Sequence, residues 1–219
     1  KANPITEKKV NTAYNNYLEL AEKHFNKHVY DSAFYYYNKA RLECETNERE
    51  KIIYAYLKMA ITQQIQGDYS GSETSATEAI PFFEEKTSAT YKCAVYNNIG
   101  INYERLNEYN DAIYNYNQAV KFAEIGLQKD ILNNNIAVVY IGKANYKKAI
   151  NILYPLTLKK DITENSENYA RILDNLGYAY YKSGNIKALE YINQSKLIRQ
   201  KINDDFGITT SYLHLSELY

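Results

Sequence analysis

A block recurs along this chain, and the recurrence limits the fold more than any other feature. The clearest copy runs from Tyr96 to Phe122 and reads YNNIGINYERLNEYNDAIYNYNQAVKF. Further copies start near Tyr17, Tyr56, Asn133, Leu173 and Tyr212, about 37 to 40 residues apart. A period of that length belongs to stacked repeats. Each unit is too small to bury its own apolar face, so neighbours share one continuous core.

Inside the clearest copy, Tyr96, Ile99, Gly100 and Tyr103 fall at spacings of three and four, one face of an α-helix. A polar turn at Leu106-Asn107-Glu108 follows. Tyr109, Ala112, Ile113, Tyr116 and Ala119 then mark one face of a second helix. Gly100 and Ala112 are small where the two helices must cross closely. The other copies fit the same frame: Ala21 with Ala33, Ala60 with Ser72, Ala137 with Ala149, and Gly177 with Ala188. The fifth copy lacks one residue between Ile186 and Ala188, which predicts a tighter start to its second helix. The sixth supplies a first helix only: Tyr212, Leu215, Ser216 and Tyr219.

The pattern resembles the tetratricopeptide repeat. Ile99-Gly100, Leu176-Gly177, Gly67-Asp68-Tyr69 and the alanines Ala33, Ala112, Ala149 and Ala188 carry the match, which extends from about Tyr14 to Tyr219. Three departures stand beside it. Tyr replaces the Trp of that family, its closing Pro is missing, and the period exceeds the usual ~34 residues. The surplus falls after the second helices, in Cys44 to Lys51 and Phe83 to Thr90. The resemblance implies an all-α, right-handed superhelical solenoid of antiparallel helix pairs. Five full repeats and a terminal helix would form one domain over residues 1–219, with repeats starting near residues 14, 53, 93, 130, 170 and 209.

Such a fold works by surface. The first helices of the repeats would line the concave face. Opposite their buried stripe lie Ala94, Asn97, Asn98, Ile101 and Arg105 in the third copy. The fourth presents Ile131, Asn134, Asn135, Val138 and Ile141, and the fifth Arg171, Asp174, Asn175, Tyr178, Tyr181 and Lys182. Across copies this makes a ladder: Asn97-Asn98, Asn134-Asn135, Asp174-Asn175. A primary amide donates and accepts, so it can pair with the backbone of an extended peptide without reading its side chains. Ile101, Val138 and Tyr178 lie one turn further on, where peptide side chains would rest. The expected peptide-binding set is therefore Asn97, Asn98, Ile101, Asn134, Asn135, Val138, Arg171, Asp174, Asn175 and Tyr178. The competing reading is that Asn is simply frequent in this chain. Leu18 and Glu22 stand where the chaperone-tail clamp of some family members needs Lys and Asn, which argues against that mode.

Charge is balanced, 26 basic against 26 acidic residues, so nothing favours nucleic acid or an anionic membrane. No apolar run approaches the ~18 residues that span a bilayer. Cys44 and Cys93 read as two small hydrophobes on different helices rather than a disulfide or a metal pair. His24 and His28 have i, i+4 spacing, but His24 takes an inward aromatic position, His28 lies at the turn, and no third ligand completes a site. Glu84-Glu85 and Asp204-Asp205 fall at helix ends or loops. With no phosphate-cradling loop or nucleophile elbow, the sequence points to no enzyme and no cofactor or metal. The 25 tyrosines are the main filler; their rings add burial while their hydroxyls need partners or water.

The expectation is a protein- or peptide-binding module, the sensing or scaffolding part of a larger regulator. In architecture the chain looks similar to the N-terminal repeat regions of bacterial signalling regulators. An alternative is self-association, giving a homodimer through the apolar end at Leu213, Leu215, Leu218 and Tyr219; an enzyme with a groove site is the remote third. A stack that stops mid-repeat also suggests that the chain continues past Tyr219.

Overall fold

The computed structural model describes residues 12–124, 126–159 and 167–218. Among them are eleven α-helices: α1 (Thr12–Asn26), α2 (Tyr30–Leu42), α3 (Arg49–Ile65), α4 (Tyr69–Thr77), α5 (Ala89–Arg105), α6 (Tyr109–Phe122), α7 (Leu127–Gly142), α8 (Tyr146–Thr157), α9 (Glu167–Lys182), α10 (Ala188–Lys201) and α11 (Asp205–Leu218). Odd-numbered helices are the first members of the repeats and even-numbered ones the second. Neighbours pack as antiparallel pairs, and no strand occurs among the described residues. The fold is all-α, as the periodicity requires. The chain forms two compact units, one up to Asn102 and one from Tyr103 onward.

In the first unit α1, α2, α3 and α4 pack in chain order. Ala21, Ala33, Tyr37 and Met59 form a core there, with Leu18, Phe25, Phe34 and Tyr56 against it. In the second unit α6 to α11 pack in chain order, and the first helices also touch each other directly, α7 with α9 and α9 with α11. Its core joins Ala137, Ala149, Leu153, Leu156, Ile172, Leu176, Ala179, Tyr180 and Ala188. Burying each Leu or Ile here contributes about 1.5–3 kcal/mol.

The two helix types bury different widths, and sequence explains it. Helix α8 buries the single stripe Ala149, Leu153 and Leu156. Helix α9 buries Ala170, Ile172, Leu173, Asp174, Leu176, Gly177, Ala179 and Tyr180, because it faces both its own partner and the first helices beside it. At Gly177 a side chain would meet Ile192 Cγ1 at 2.6 Å and the Ala188 carbonyl at 3.0 Å, so the crossing of α9 and α10 requires glycine.

One device makes every turn from a first helix to a second. His28, Gly67, Asn107, Ala144 and Gly184 all have positive φ. The residue after each donates its N–H five positions back: Val29 to His24 (3.0 Å), Asp68 to Gln63 (3.0 Å), Glu108 to Tyr103 (2.8 Å), Asn145 to Tyr140 (2.8 Å) and Asn185 to Tyr180 (2.9 Å). These are Schellman-type C-caps, in which a left-handed residue lets the last carbonyls find donors. His28 therefore serves a turn, with Nδ1 2.9 Å from the Tyr30 hydroxyl, and His24 stacks on Tyr36 at 5.3 Å.

The missing residue of the fifth copy falls at the start of its second helix, which begins later rather than more tightly. Helices α2, α4, α6 and α8 start two residues after the left-handed position, whereas α10 starts only at Ala188. Asn185 Oδ1 caps the Lys187 N–H at 2.9 Å, and Ile186 is left 94% exposed. The surplus after the second helices lies in connections: residues 43–48 join α2 to α3, and a short 3₁₀ turn at Ile80–Phe82 follows α4. One detail differs from expectation. Cys44 lies in the turn after α2 rather than within a helix; burial pushes its thiol up to about 11. Cys93 is buried in α5, and both thiols are free. On α11 Leu215 is buried, while Leu213 and Phe206 are exposed. Tyr219 and the side chain of Leu218 lie outside the described residues.

Candidate functional site

The first helices carry the residues that sequence marks for binding. In the second unit these helices are α7, α9 and α11. Asn134 on α7 is 3% exposed, and its Oδ1 accepts from Asn175 Nδ2 on α9 at 2.9 Å. The same register recurs one repeat later. Asp174 on α9 is 1% exposed; its Oδ1 accepts from the Ser211 hydroxyl on α11 at 2.8 Å. His214 Nδ1 lies 2.8 Å from Asp174 Oδ2, close enough for an ion pair but without hydrogen-bond alignment. Arg199 on α10 closes the cluster, with Nη2 4.0 Å from Asp174, Nη1 3.4 Å from Asp204 and Nε 3.1 Å from Ser195 Oγ. The inner rungs of the ladder therefore hold first helices to one another, and their polar atoms are engaged there.

In the first unit Asn98 is buried as well. Its Oδ1 accepts from the Ser72 hydroxyl at 3.2 Å and from Asn102 Nδ2 at 3.1 Å, and Gln64 donates to Asn102 Oδ1 at 2.7 Å. Asn97 and Ile101 are half-buried on the same helix.

What stays at the surface of the second unit is a narrower set. Asn135, Val138, Arg171, Asn175 and Tyr178 are half-buried. Arg171 Nη2 donates to Asn168 Oδ1 at 2.8 Å and meets Glu167 at 3.3 Å, beside a shallow crevice also lined by Ile131, Asn134 and Ile172. The Tyr178 ring stacks on His214 at 4.2 Å, and its hydroxyl donates to Glu217 at 3.3 Å. Lys182 pairs with the same Glu217 at 2.6 Å, and the Tyr181 hydroxyl donates to its backbone carbonyl. So Asn134, Arg171 and Asn175 come together between α7 and α9, and Tyr178 belongs to a separate patch between α9 and α11. Val138 lies in a third place, an open cleft of about 300 Å³ with Glu104, Arg105, Asn107, Tyr109, Ile141 and Gly142. Burial raises the Glu104 carboxyl above the usual range; a hydrogen bond from Tyr116 at 2.9 Å and the charge of Arg105 only partly offset this.

Sequence reasoning missed a cleft in the first unit, of about 310 Å³, lined by Tyr14, Leu18, Glu50, Lys51, Tyr54 and Tyr91. Its polar groups are committed internally. Lys51 bonds Glu48 at 2.5 Å and lies over the Tyr14 ring, Glu50 accepts from the Ser88 N–H at 2.9 Å, and Tyr54 donates to Glu22 at 2.9 Å. Burial would raise the Glu22 carboxyl, but the hydrogen bonds from Lys58 and Tyr54 outweigh it and bring the group below its usual value. A signal was available in the tyrosines one repeat apart, Tyr14, Tyr54 and Tyr91.

No family model matches the sequence, and no curated protein matches it. Solved structures do. Tetratricopeptide-like repeats of a putative kinesin light chain from Podosopora anserina superpose with a TM-score of 0.72 at 13% identity, over 91% of this chain and 100% of that one. Aspartyl phosphate phosphatase F from Bacillus subtilis gives 0.78 at 19% identity, over 93% of this chain and 55% of that one. The Rap conjugation gene regulator of plasmid pLS20, in complex with the Phr* peptide, gives 0.73 at 17% identity, over 94% of this chain and 58% of that one. This chain thus spans a little over half the length of the latter two. By fold it is a tetratricopeptide-like helical-repeat protein. Within that class it is similar to structures that include Rap-type regulators.

Proposed function

We propose that this chain is a peptide- or protein-binding module, and that its ligand lies on the first-helix face of the second unit. The reading rests on one observation. Beside the inner rungs, that face presents half-buried aliphatic, guanidinium, amide and aromatic side chains on successive first helices: Val138 on α7, and Arg171, Asn175 and Tyr178 on α9, which keep exposed surface beside their internal bonds. Mixed surfaces of this kind suit an extended segment, whose backbone meets polar groups while alternate side chains meet apolar ones. The Rap regulator of plasmid pLS20, a protein of the same fold, is described in complex with a peptide, which supports the reading. A place in a larger regulatory protein is part of the proposal. Binding rather than catalysis is part of the same proposal.

The test is selection of a displayed random peptide library on the immobilised 219-residue chain, then affinity measurement with variants. Val138→Ser and Arg171→Ala should weaken the selected peptide several-fold while leaving the thermal midpoint nearly unchanged. Equal affinity for the wild type and both variants would remove this face from consideration.

A second reading, self-association, is favoured by Phe206 and Leu213, 88% and 62% exposed on α11. Sedimentation velocity decides it: Leu213→Glu should abolish a dimer, and a concentration-independent monomer rules the reading out.

A further inference from the structure

We propose that the cleft around Arg105 receives an acidic side chain of the bound peptide, so that the module selects an aspartate or glutamate at one fixed position. The inference rests on the peptide-binding reading above and names its specificity.

Three observations carry it. First, Arg105 is an exposed cation at the end of α5 that makes no ion pair or hydrogen bond among the described residues. Other basic side chains of the second unit are committed: Lys143 donates to Asn110 at 2.6 Å, Lys182 pairs with Glu217, and Arg171 with Glu167 and Asn168. Second, the cleft is rich in donors. Tyr109 donates its hydroxyl to Asn107 Oδ1 at 2.8 Å, which leaves the amide nitrogen of Asn107 uncommitted beside the guanidinium. The one carboxyl in the lining, Glu104, is bonded by Tyr116 at 2.9 Å and forms no ion pair with Arg105; burial also pushes it toward its neutral form. Third, Val138, Ile141 and the Tyr109 ring supply apolar walls. A guanidinium with an amide N–H₂ beside aliphatic walls complements a carboxylate carried on a short methylene stem. The cleft is open, so a chain can cross it with the acidic residue at an internal position. Val138 ties it to the binding face already described.

The geometry also explains why Arg rather than Lys suits this place. A planar fork can engage both carboxylate oxygens while its stem lies along the aliphatic wall. Asn107 holds a left-handed conformation, φ 61°, which makes the turn and places its side chain at the cleft.

The experiment uses the 219-residue chain and a random twelve-residue library fused to its display scaffold through the peptide C-terminus, so that every carboxylate offered is a side chain. Selections are run on wild type, Arg105→Gln and Arg105→Glu, each shown to be folded by circular dichroism. Wild type should enrich Asp or Glu at one position, Arg105→Gln should lose that preference, and Arg105→Glu should favour Lys or Arg there. The leading wild-type peptide, acetylated and amidated, is then measured by fluorescence polarisation. Arg105→Gln should weaken it about tenfold, the same peptide with Gln for its acidic residue should lose about tenfold on wild type, and the two losses should not add. An acidic preference that is absent from wild type, or unchanged in both variants, overturns this inference while leaving the binding face intact. Failure of any peptide to enrich on wild type overturns both.

Discussion

Removing the Asp174 carboxylate tests whether the inner ladder holds the helices together. Asp174, Arg199 and Ser211 are 1%, 5% and 0% exposed, so little water can replace a lost partner. In Asp174→Ala the Ser211 hydroxyl loses its acceptor, His214 its neighbouring charge, and Arg199 one of its two carboxylates, leaving Asp204 at 3.4 Å. Breaking a buried pair on one side costs about 3–5 kcal/mol. A whole domain is stable by about 5–15 kcal/mol, so this is a large share. The damage should concentrate on α11, whose main contacts are with α10 and α9. Asp174→Asn keeps an acceptor for Ser211 but loses the charge, and should cost about 1–3 kcal/mol. Urea unfolding followed at 222 nm gives the global cost, and hydrogen exchange gives its location. Residues 205–218 should lose protection first, while α7 and α8 keep theirs. Arg171→Ala, on the same helix but with an exposed pair, should cost no more than about 0.5 kcal/mol. If Asp174→Ala costs no more than that control, the carboxylate is not a packing group and the reasoning fails.

Three other outcomes follow from the geometry. Gly177→Ala drives a methyl into Ile192 and the Ala188 carbonyl and should cost about 1–3 kcal/mol in urea unfolding; a neutral result would mean that the α9–α10 crossing can open. Ala144→Gly relieves an L-residue of φ 55° and should stabilise by about 0.5–1 kcal/mol, read as a higher thermal midpoint; a loss would refute the strain argument. Burial raises the Glu104 carboxyl, so its contribution is full below the unfolded value, about 4.3, and is lost as pH rises through the folded value. Glu104→Gln should therefore gain on wild type as pH rises from about 4 to about 7, and a thermal-midpoint difference that is flat with pH would contradict this.

Period and small residues made the fold legible, because both are consequences of helix crossing. Gly177 and Ala188 must be small to let α9 meet α10; the spacing from Leu173 to Gly177 repeats in every copy, and that to Ala188 is one residue shorter than in the four copies before it. The site was legible only in part, for a physical reason. Periodicity assigns a residue to a side of its own helix, but whether that side is open depends on where the next helix lies. Asn134 and Asp174 sit on the flank that the following first helix covers, and Asn135 and Val138 sit beside them but half-exposed. The covering helix leaves a trace in the sequence after all. Asn134 meets Asn175, and Asp174 meets His214, each about one repeat length further on. A polar residue answered by another one repeat later on the facing flank signals a bond between helices, whereas a charged residue with no such counterpart is left to meet a partner. Arg105 illustrates the second case. The corresponding place in the next repeat is Gly142, which can bond no side chain, and the guanidinium is left to face the cleft. By that criterion Arg105 is a residue left to read a partner, and Asn134 and Asp174 serve instead to keep the helices that display them in register.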